Sequence, residues 1–279
     1  MQLLNGKTIR DKILEDIKIN LNNIDKTLGI AVISIGENKV NDIFVLQKEK
    51  ICTKLGIEFR DIKLGSNIEE EQILKIIDEL NIDNNIDGIM IELPIIGKFN
   101  KDRILNRIDY KKDVDGLTKK TREKLLNNKA CIISSTVEAI LEMFKYYNIE
   151  LTNKKIVIVG NGFLVGSPLG TILKNKNLNV TICDSKTNNL TSNINEADII
   201  ISCVGKKNLI TSNMLKNNQV IIDVGVTMDN GINYGDVERI NLDELDISIT
   251  PIIGGVGVVT VVSLINNLIK CYELKRKEK

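Results

Sequence analysis

The feature that most constrains this chain is a glycine-rich turn between an apolar, β-branched run and a helix-compatible one. It spans Lys155-Ile156-Val157-Ile158-Val159-Gly160-Asn161-Gly162-Phe163-Leu164-Val165-Gly166-Ser167-Pro168. The run from Ile156 to Gly160 predicts a buried parallel strand, and the glycines permit backbone geometries and close approaches that a Cβ would block. A phosphate can then rest on free amides at the helix start, so the turn reads as a dinucleotide cradle with Gly160, Asn161, Gly162, Val165 and Gly166 as its contacts. The G-x-G-x-x-x-G spacing is one residue longer than the usual fingerprint, and a plain strand-to-helix turn is the alternative.

A chain of 279 residues is long enough for two domains. Lysine and arginine total 38 against 37 acidic residues, a balance that points to neither a nucleic-acid nor a membrane partner through bulk charge. Lys275-Arg276-Lys277 reads as a solvated helix end. The amino terminus has no apolar stretch of the signal-peptide kind, and no unbroken apolar run of about 18 residues occurs, so the expectation is a soluble cytoplasmic protein. Cys52, Cys131, Cys183, Cys203 and Cys271 are widely spaced without a C-x-x-C pair and suggest small core residues, with no metal site. Histidine is absent altogether, so proton chemistry falls to Lys, Asp, Glu, Tyr, Cys or water.

Strand-like runs at Gly29–Ile35, Ile57–Leu64 and Ile86–Leu93 alternate with helix-like segments at Lys7–Leu21, Asp42–Leu55 and Glu69–Leu80. That is βαβ rhythm. It breaks at the turn Asp113-Val114-Asp115-Gly116 and resumes with a helix near Thr136, where Ser135 and Glu138 have capping-box spacing. A second series begins at Lys155, with strands expected at Asn179–Cys183, Asp198–Cys203, Gln219–Val224 and Ile247–Thr250. After Gly254-Gly255-Val256-Gly257, the segment Val258–Tyr272 is apolar enough to be a buried helix. The fold class is therefore α/β, with the second half Rossmann-like.

Asp184 closes the strand after the glycine turn. A carboxylate there can accept bonds from an adenosine ribose and repel a 2′-phosphate, which favours NAD over NADP; a polar turn at Asp184-Ser185-Lys186-Thr187 is the alternative. In the first half, Phe44 lies one helical turn before Lys48 and on the same face. By itself that pairing is an ordinary core and solvent combination.

Several stretches together resemble the bifunctional methylenetetrahydrofolate dehydrogenase/methenyltetrahydrofolate cyclohydrolase family over nearly the whole chain. They are Asp87-Gly88-Ile89-Met90-Ile91-Glu92-Leu93-Pro94, Lys112-Asp113-Val114-Asp115-Gly116 and Val165-Gly166-Ser167-Pro168, followed by Ile221-Ile222-Asp223-Val224-Gly225 and Ile249 to Gly257. The resemblance implies a catalytic α/β domain and a Rossmann-like domain facing each other across a cleft, with the last helix returning to the first domain. The boundaries expected are 1–135, completed by 258–279, for the folate-binding catalytic domain and 136–257 for the dinucleotide domain. It also implies hydride transfer from 5,10-methylenetetrahydrofolate to NADP, then hydration of the methenyl cation to 10-formyltetrahydrofolate, in a homodimer.

Carried onto this chain, the family's Y-x-x-x-K motif falls on Phe44 and Lys48, so the lysine is present and the tyrosine hydroxyl is not. The glutamine of its Q-L-P motif is Glu92. A carboxylate beside Lys48 favours the ammonium form and weakens the lysine as a proton acceptor, while burial acts the other way. Asp115 matches an aspartate that binds the pterin end of folate, with a turn aspartate as the alternative. Gly254 and Gly255 match a segment that approaches the substrate, and Val226 matches a position whose backbone faces the nicotinamide. Other positions depart: the arginine and serine of the family's glycine turn are Asn161 and Gly162, and a histidine of its second strand is Asp184, followed by a retained Ser185. Without that arginine, NADP preference is in doubt and NAD becomes possible. Because hydride transfer needs mainly alignment, the changes at Phe44 and Glu92 predict a dehydrogenase-biased enzyme. A dehydrogenase without cyclohydrolase activity and a folate- or dinucleotide-binding paralogue without turnover are the alternatives.

Overall fold

The computed structural model describes residues 1–277; residues 278 and 279, and the side chains of residues 39–41, lie outside that description. In chain order the elements are β1 (Gln2–Leu3), α1 (Gly6–Asn22), β2 (Gly29–Ile35), α2 (Lys39–Lys54), β3 (Glu58–Leu64), α3 (Glu70–Ile82), β4 (Gly88–Ile91), α4 (Lys101–Leu105) and α5 (Lys119–Leu126). There follow α6 (Ser135–Tyr146), β5 (Ile156–Val159), α7 (Gly166–Asn175), β6 (Val180–Cys183), α8 (Leu190–Glu196), β7 (Ile199–Ser202), β8 (Val220–Asp223), β9 (Val226–Asp229), β10 (Ile232–Gly235), β11 (Ser248–Ile249) and α9 (Val256–Lys277).

The chain divides into two compact units, one of Ile13–Ser135 with residues from Val261 onward, the other of Met1–Lys12 with Thr136–Thr260. The first contains a parallel three-stranded sheet in the order β3-β2-β4. Its central strand is buried along its whole length, as expected where helices cover both faces of a parallel sheet and the strand reads as a continuous apolar run. Helix α9 packs into this unit: Asn267 Nδ2 donates to Val114 O (2.9 Å) and Ile133 O (2.8 Å), and Lys275 Nζ reaches buried Asp87 at 3.1 Å. By length and composition α9 could cross a membrane, although no unbroken apolar run marks it in the sequence, and 61% of its apolar window is buried within the protein. Its apolar surface is spent on the core.

The second unit carries a six-stranded sheet in the order β1-β11-β8-β7-β5-β6, every pairing parallel. Strand order reverses about β5 and β7, the point at which doubly wound sheets bind nucleotides outside the carboxyl ends of their strands. By contacts, the first twelve residues group with this unit. The reason is β1, which pairs in parallel with β11 at the sheet edge, Gln2 with Ser248 and Leu3 with Ile249. Strands β9 and β10 form a separate antiparallel hairpin turning at Asn230-Gly231. Among the described residues, every non-glycine position with positive φ is an asparagine, from Asn128 to Asn241, the residue that enters the left-handed region most readily after glycine.

Candidate active site

Lys48 lies on α2 and Glu92 immediately follows β4, whose register with β2 is fixed by Ile33 opposite Ile91 and by Glu92 N–H donating to Ile33 O at 2.9 Å. The two side chains form a buried ion pair, Lys48 Nζ to Glu92 Oε1, with only 6% and 7% of their side chains exposed. Burial pushes the Glu92 carboxyl above its ordinary range; Lys48 opposes this, and the negative charges of Asp115 and Asp61 add to it. Both charged groups are thereby largely withdrawn from solvent. Phe44, one turn earlier on α2, is half-buried.

Asp115 sits in the turn after Lys112-Asp113-Val114, which is pinned to β4 by Ile89 N–H donating to Lys112 O at 2.6 Å. Its Oδ1 accepts from both Ser135 N–H (3.1 Å) and Ser135 Oγ–H (2.8 Å). Helix α6 therefore begins where the capping-box spacing places it, but the Ser135 hydroxyl gives its proton to Asp115. Asn267 of α9 holds two neighbouring carbonyls, Val114 O and Ile133 O, so α6 and α9 both fix the turn that carries Asp115. The neighbouring Asp113 is structural: it is buried and accepts from Leu117 N–H, Thr118 N–H and Thr121 Oγ–H. Lys112 is also structural, its ammonium donating to Leu80 O and Asp83 O, both at 2.8 Å, with burial lowering its pKa to about 8.

In the Rossmann-like unit, Gly160 has φ +108°, and a Cβ on Gly166 would fall 1.8 Å from Gly160 O. The turn thus requires glycine at both positions, and Cys203, bonded through Sγ to Val159 O and Gly160 O at 3.4 Å, fills the space beneath. Asn161 and Gly162 are exposed and Val165 is buried at the start of α7. The helix start offers fewer amides than the sequence suggests, because Ser167 N–H donates to Gly162 O at 3.0 Å and Pro168 has none. Asp184 and Ser185 are exposed beyond β6. Asp184 Oδ1 accepts from Lys186 N–H (2.9 Å) and from Thr187 Oγ–H (3.3 Å), so this carboxylate closes its own turn and keeps Oδ2 for other partners. Val226 opens the β9–β10 hairpin. Gly254 and Gly255 also fall in this unit, whereas Lys48, Glu92 and Asp115 fall in the other. Both glycines are buried against the start of α1, where Gly6 N–H donates to Gly254 O at 2.8 Å.

One network is not singled out by the sequence. Asp223 ends β8 inside the Ile221-to-Gly225 motif and accepts from Asp236 N–H (3.0 Å), Val237 N–H (3.2 Å) and Arg239 Nη2 (2.8 Å). Burial raises its pKa to about 6, with Arg239 opposing. Asp236 accepts in turn from Ser202 Oγ–H (2.8 Å), Val204 N–H (2.8 Å) and Lys206 N–H (2.7 Å), which fixes the loops at the carboxyl ends of β7 and β8. A strand-ending aspartate was the available signal. A pocket of about 280 Å³ at the opposite, amino ends of these strands, lined by residues such as Leu4, Tyr147, Asp198 and Ser248, contains none of the candidate residues. Among the described residues no cluster of potential ligands could hold a metal ion.

A doubly wound unit with a glycine turn at its switch point, joined to an α/β unit holding a buried lysine–carboxylate couple beside an aspartate, defines a two-unit enzyme of the nicotinamide-dinucleotide class. The family models for the tetrahydrofolate dehydrogenase/cyclohydrolase catalytic domain and NAD(P)-binding domain match residues 4–115 and 134–276. The chain is 38% identical over 281 aligned residues to the bifunctional protein FolD of Thermodesulfovibrio yellowstonii, covering 99% of this chain and 98% of that one. It superposes on the bifunctional FolD methylenetetrahydrofolate dehydrogenase/cyclohydrolase of Campylobacter jejuni with a TM-score of 0.90 at 33% identity, covering 99% of both chains. The Trypanosoma brucei methylenetetrahydrofolate dehydrogenase-cyclohydrolase, solved with NADP cofactor and inhibitor, gives 0.89 at 25% identity over 99% of this chain and 98% of that one. The chain belongs to the tetrahydrofolate dehydrogenase/cyclohydrolase family and is an enzyme of one-carbon metabolism with an NAD(P)-binding domain.

Proposed function

We propose that this enzyme oxidises 5,10-methylenetetrahydrofolate faster than it hydrates the methenyl product, and that the Lys48–Glu92 pair is the cause. The observation that carries this reading is the burial of that pair. In the proposed division of labour, Asp115 holds the pterin end of the folate, Phe44 packs against it, and Gly254 and Gly255 bring backbone close to the substrate. The Gly160–Gly166 turn cradles the pyrophosphate, and the Val226 backbone faces the nicotinamide. The dinucleotide supplies the hydride acceptor when bound; the protein's own contribution to that step is alignment, which intramolecular reactions reward heavily. Hydration makes a further demand, since one water proton must be accepted as the C–O bond forms. Lys48 is the group placed to activate or position that water. With Glu92 stabilising its ammonium, it is a reluctant acceptor.

The cofactor reading is a preference for NAD. Asp184 Oδ2 would repel a 2′-phosphate, and Asn161 supplies no cation to neutralise one. Ser185 can still donate one hydrogen bond to a 2′-phosphate. A homodimer, the assembly that the family resemblance implies, is the proposed state, and analytical ultracentrifugation distinguishes it from a monomer.

The test is an absorbance assay on the purified protein with 5,10-methylenetetrahydrofolate and either NAD or NADP, following reduced cofactor and methenyl product separately. Accumulating methenyl product is the expected outcome. Hydration that keeps pace with oxidation would refute the bias, and faster turnover with NADP would refute the cofactor preference.

A further inference from the structure

Strand β2 carries a hydroxyl where its apolar pattern leads one to expect an aliphatic group. Ser34 lies between Ile33 and Ile35, is 91% buried by its 9% relative exposure, and its Oγ has no hydrogen-bond partner. Buried hydroxyls are ordinarily paired, and one left unpaired costs stability that an alanine would not. Such an exception calls for a functional account.

Register supplies one. Ile33 is opposite Ile91, and Glu92 N–H bonds to Ile33 O, so the next position on each strand places Ser34 beside Glu92. Residues paired in a parallel ladder project from the same face of the sheet. Ser34 is also opposite Lys63 on β3, and Lys63 Nζ reaches Asp42 of α2 at 3.3 Å. The face bearing Ser34 and Glu92 is therefore the one that α2 covers, and α2 supplies Lys48. The orphan hydroxyl thus lies on the same buried sheet face as the ion pair.

We propose that Ser34 is a positioning residue of the hydration step, its hydroxyl holding the attacking water against the Lys48–Glu92 pair. The inference rests on the cyclohydrolase reading given above. One O–H of the water is accepted by Ser34 Oγ and the other faces the pair, which leaves the oxygen lone pair for the methenyl carbon. The C–O bond forms as the water proton passes to the pair; later cleavage of the C–N5 bond leaves N5–H and a 10-formyl group, with one proton released overall. In this chain the serine offsets part of what Glu92 takes from Lys48.

The experiment compares wild type, Ser34→Ala and Ser34→Thr as full-length proteins. It measures hydrolysis of 5,10-methenyltetrahydrofolate, dehydrogenase turnover and Tm. Ser34→Ala is expected to lower the cyclohydrolase-to-dehydrogenase ratio about tenfold through kcat, the scale on which misplacing a reacting group is felt. Its Tm should be equal to or above that of wild type. Ser34→Thr, which keeps the hydroxyl, should recover most of the ratio. An unchanged ratio in Ser34→Ala, or a parallel loss of both activities with a lower Tm, overturns the proposal. A wild-type enzyme that hydrolyses no methenyl substrate above the uncatalysed rate overturns the underlying reading first, a result visible before any variant is made.

Discussion

Replacing Glu92 by glutamine removes one charge and keeps a carbonyl to accept from Lys48. The magnitude follows from the pair's geometry. Two unit charges about 4 Å apart interact by about 4 kcal/mol at an effective dielectric constant of about 20. Glutamine retains a neutral hydrogen bond worth about 1 kcal/mol, so the ammonium loses roughly 3 kcal/mol of support. At about 1.4 kcal/mol per factor of ten, the ceiling on the gain in hydration rate is about a hundredfold. A rise of at least tenfold in cyclohydrolase kcat is the expected outcome. Hydride transfer depends on alignment and should change by less than about threefold. The assay is initial-rate hydrolysis of 5,10-methenyltetrahydrofolate at pH 7 to 8, with dehydrogenase turnover measured on the same preparation. Cyclohydrolase activity that falls in Glu92→Gln while dehydrogenase activity persists would show that the carboxylate aids hydration, and the argument would fail. Stability should fall, by up to about 3–5 kcal/mol, because removing one charge of a buried pair leaves the other uncompensated.

Three further outcomes follow from the geometry. Ser135→Ala removes the hydroxyl bonded to Asp115 Oδ1, a charge-assisted bond worth about 1.5–3 kcal/mol, so folate Kd should rise roughly tenfold or more by fluorescence titration, and an unchanged Kd refutes the positioning role. Burial raises the Asp223 pKa from an ordinary 3.8 to about 6 in the folded protein; its contribution to stability is full below the lower value and lost as pH rises through the upper. That amounts to about 3 kcal/mol, to be read from urea unfolding of wild type against Asp223→Asn between pH 4 and about 7, and a difference independent of pH contradicts it. Gly166→Ala places a Cβ 1.8 Å from Gly160 O, so it should cost about 2–3 kcal/mol and weaken dinucleotide binding by calorimetry; full-affinity binding would show that the turn can relax.

The parts of this structure legible in the sequence are those whose signal is local. Gly29–Ile35 is a continuous apolar run in the sequence and is strand β2 over the same residues, because a central parallel strand buried on both faces needs no alternation. The pattern is silent on β1, whose two residues are too few to show a period. The β9–β10 hairpin has a readable cue in Asn230-Gly231, but the β-prone runs on either side are only four residues each. In the site, Lys48 and Glu92 are distant in sequence, and motif resemblance alone connected them. Ser135 and Asn267 converge on the Asp115 turn through long-range hydrogen bonds, which no spacing encodes. Ser34 escapes for another reason: one serine in an apolar strand looks unremarkable until its hydroxyl is found without a partner.

The left-handed asparagines offer a way to tune the chain. Each occupies a conformation that most turns reserve for glycine, yet asparagine leaves the denatured chain fewer states to lose. Exchange with glycine at any one of them sets a smaller native-state strain against a larger entropic penalty, so each site should shift the melting point by a small, separable amount. Sites such as Asn148, Asn177 and Asn241 are far apart along the chain, and distant substitutions add. The heat tolerance of this enzyme can thus be adjusted turn by turn while Lys48, Ser34, Glu92 and Asp115 are left as they are.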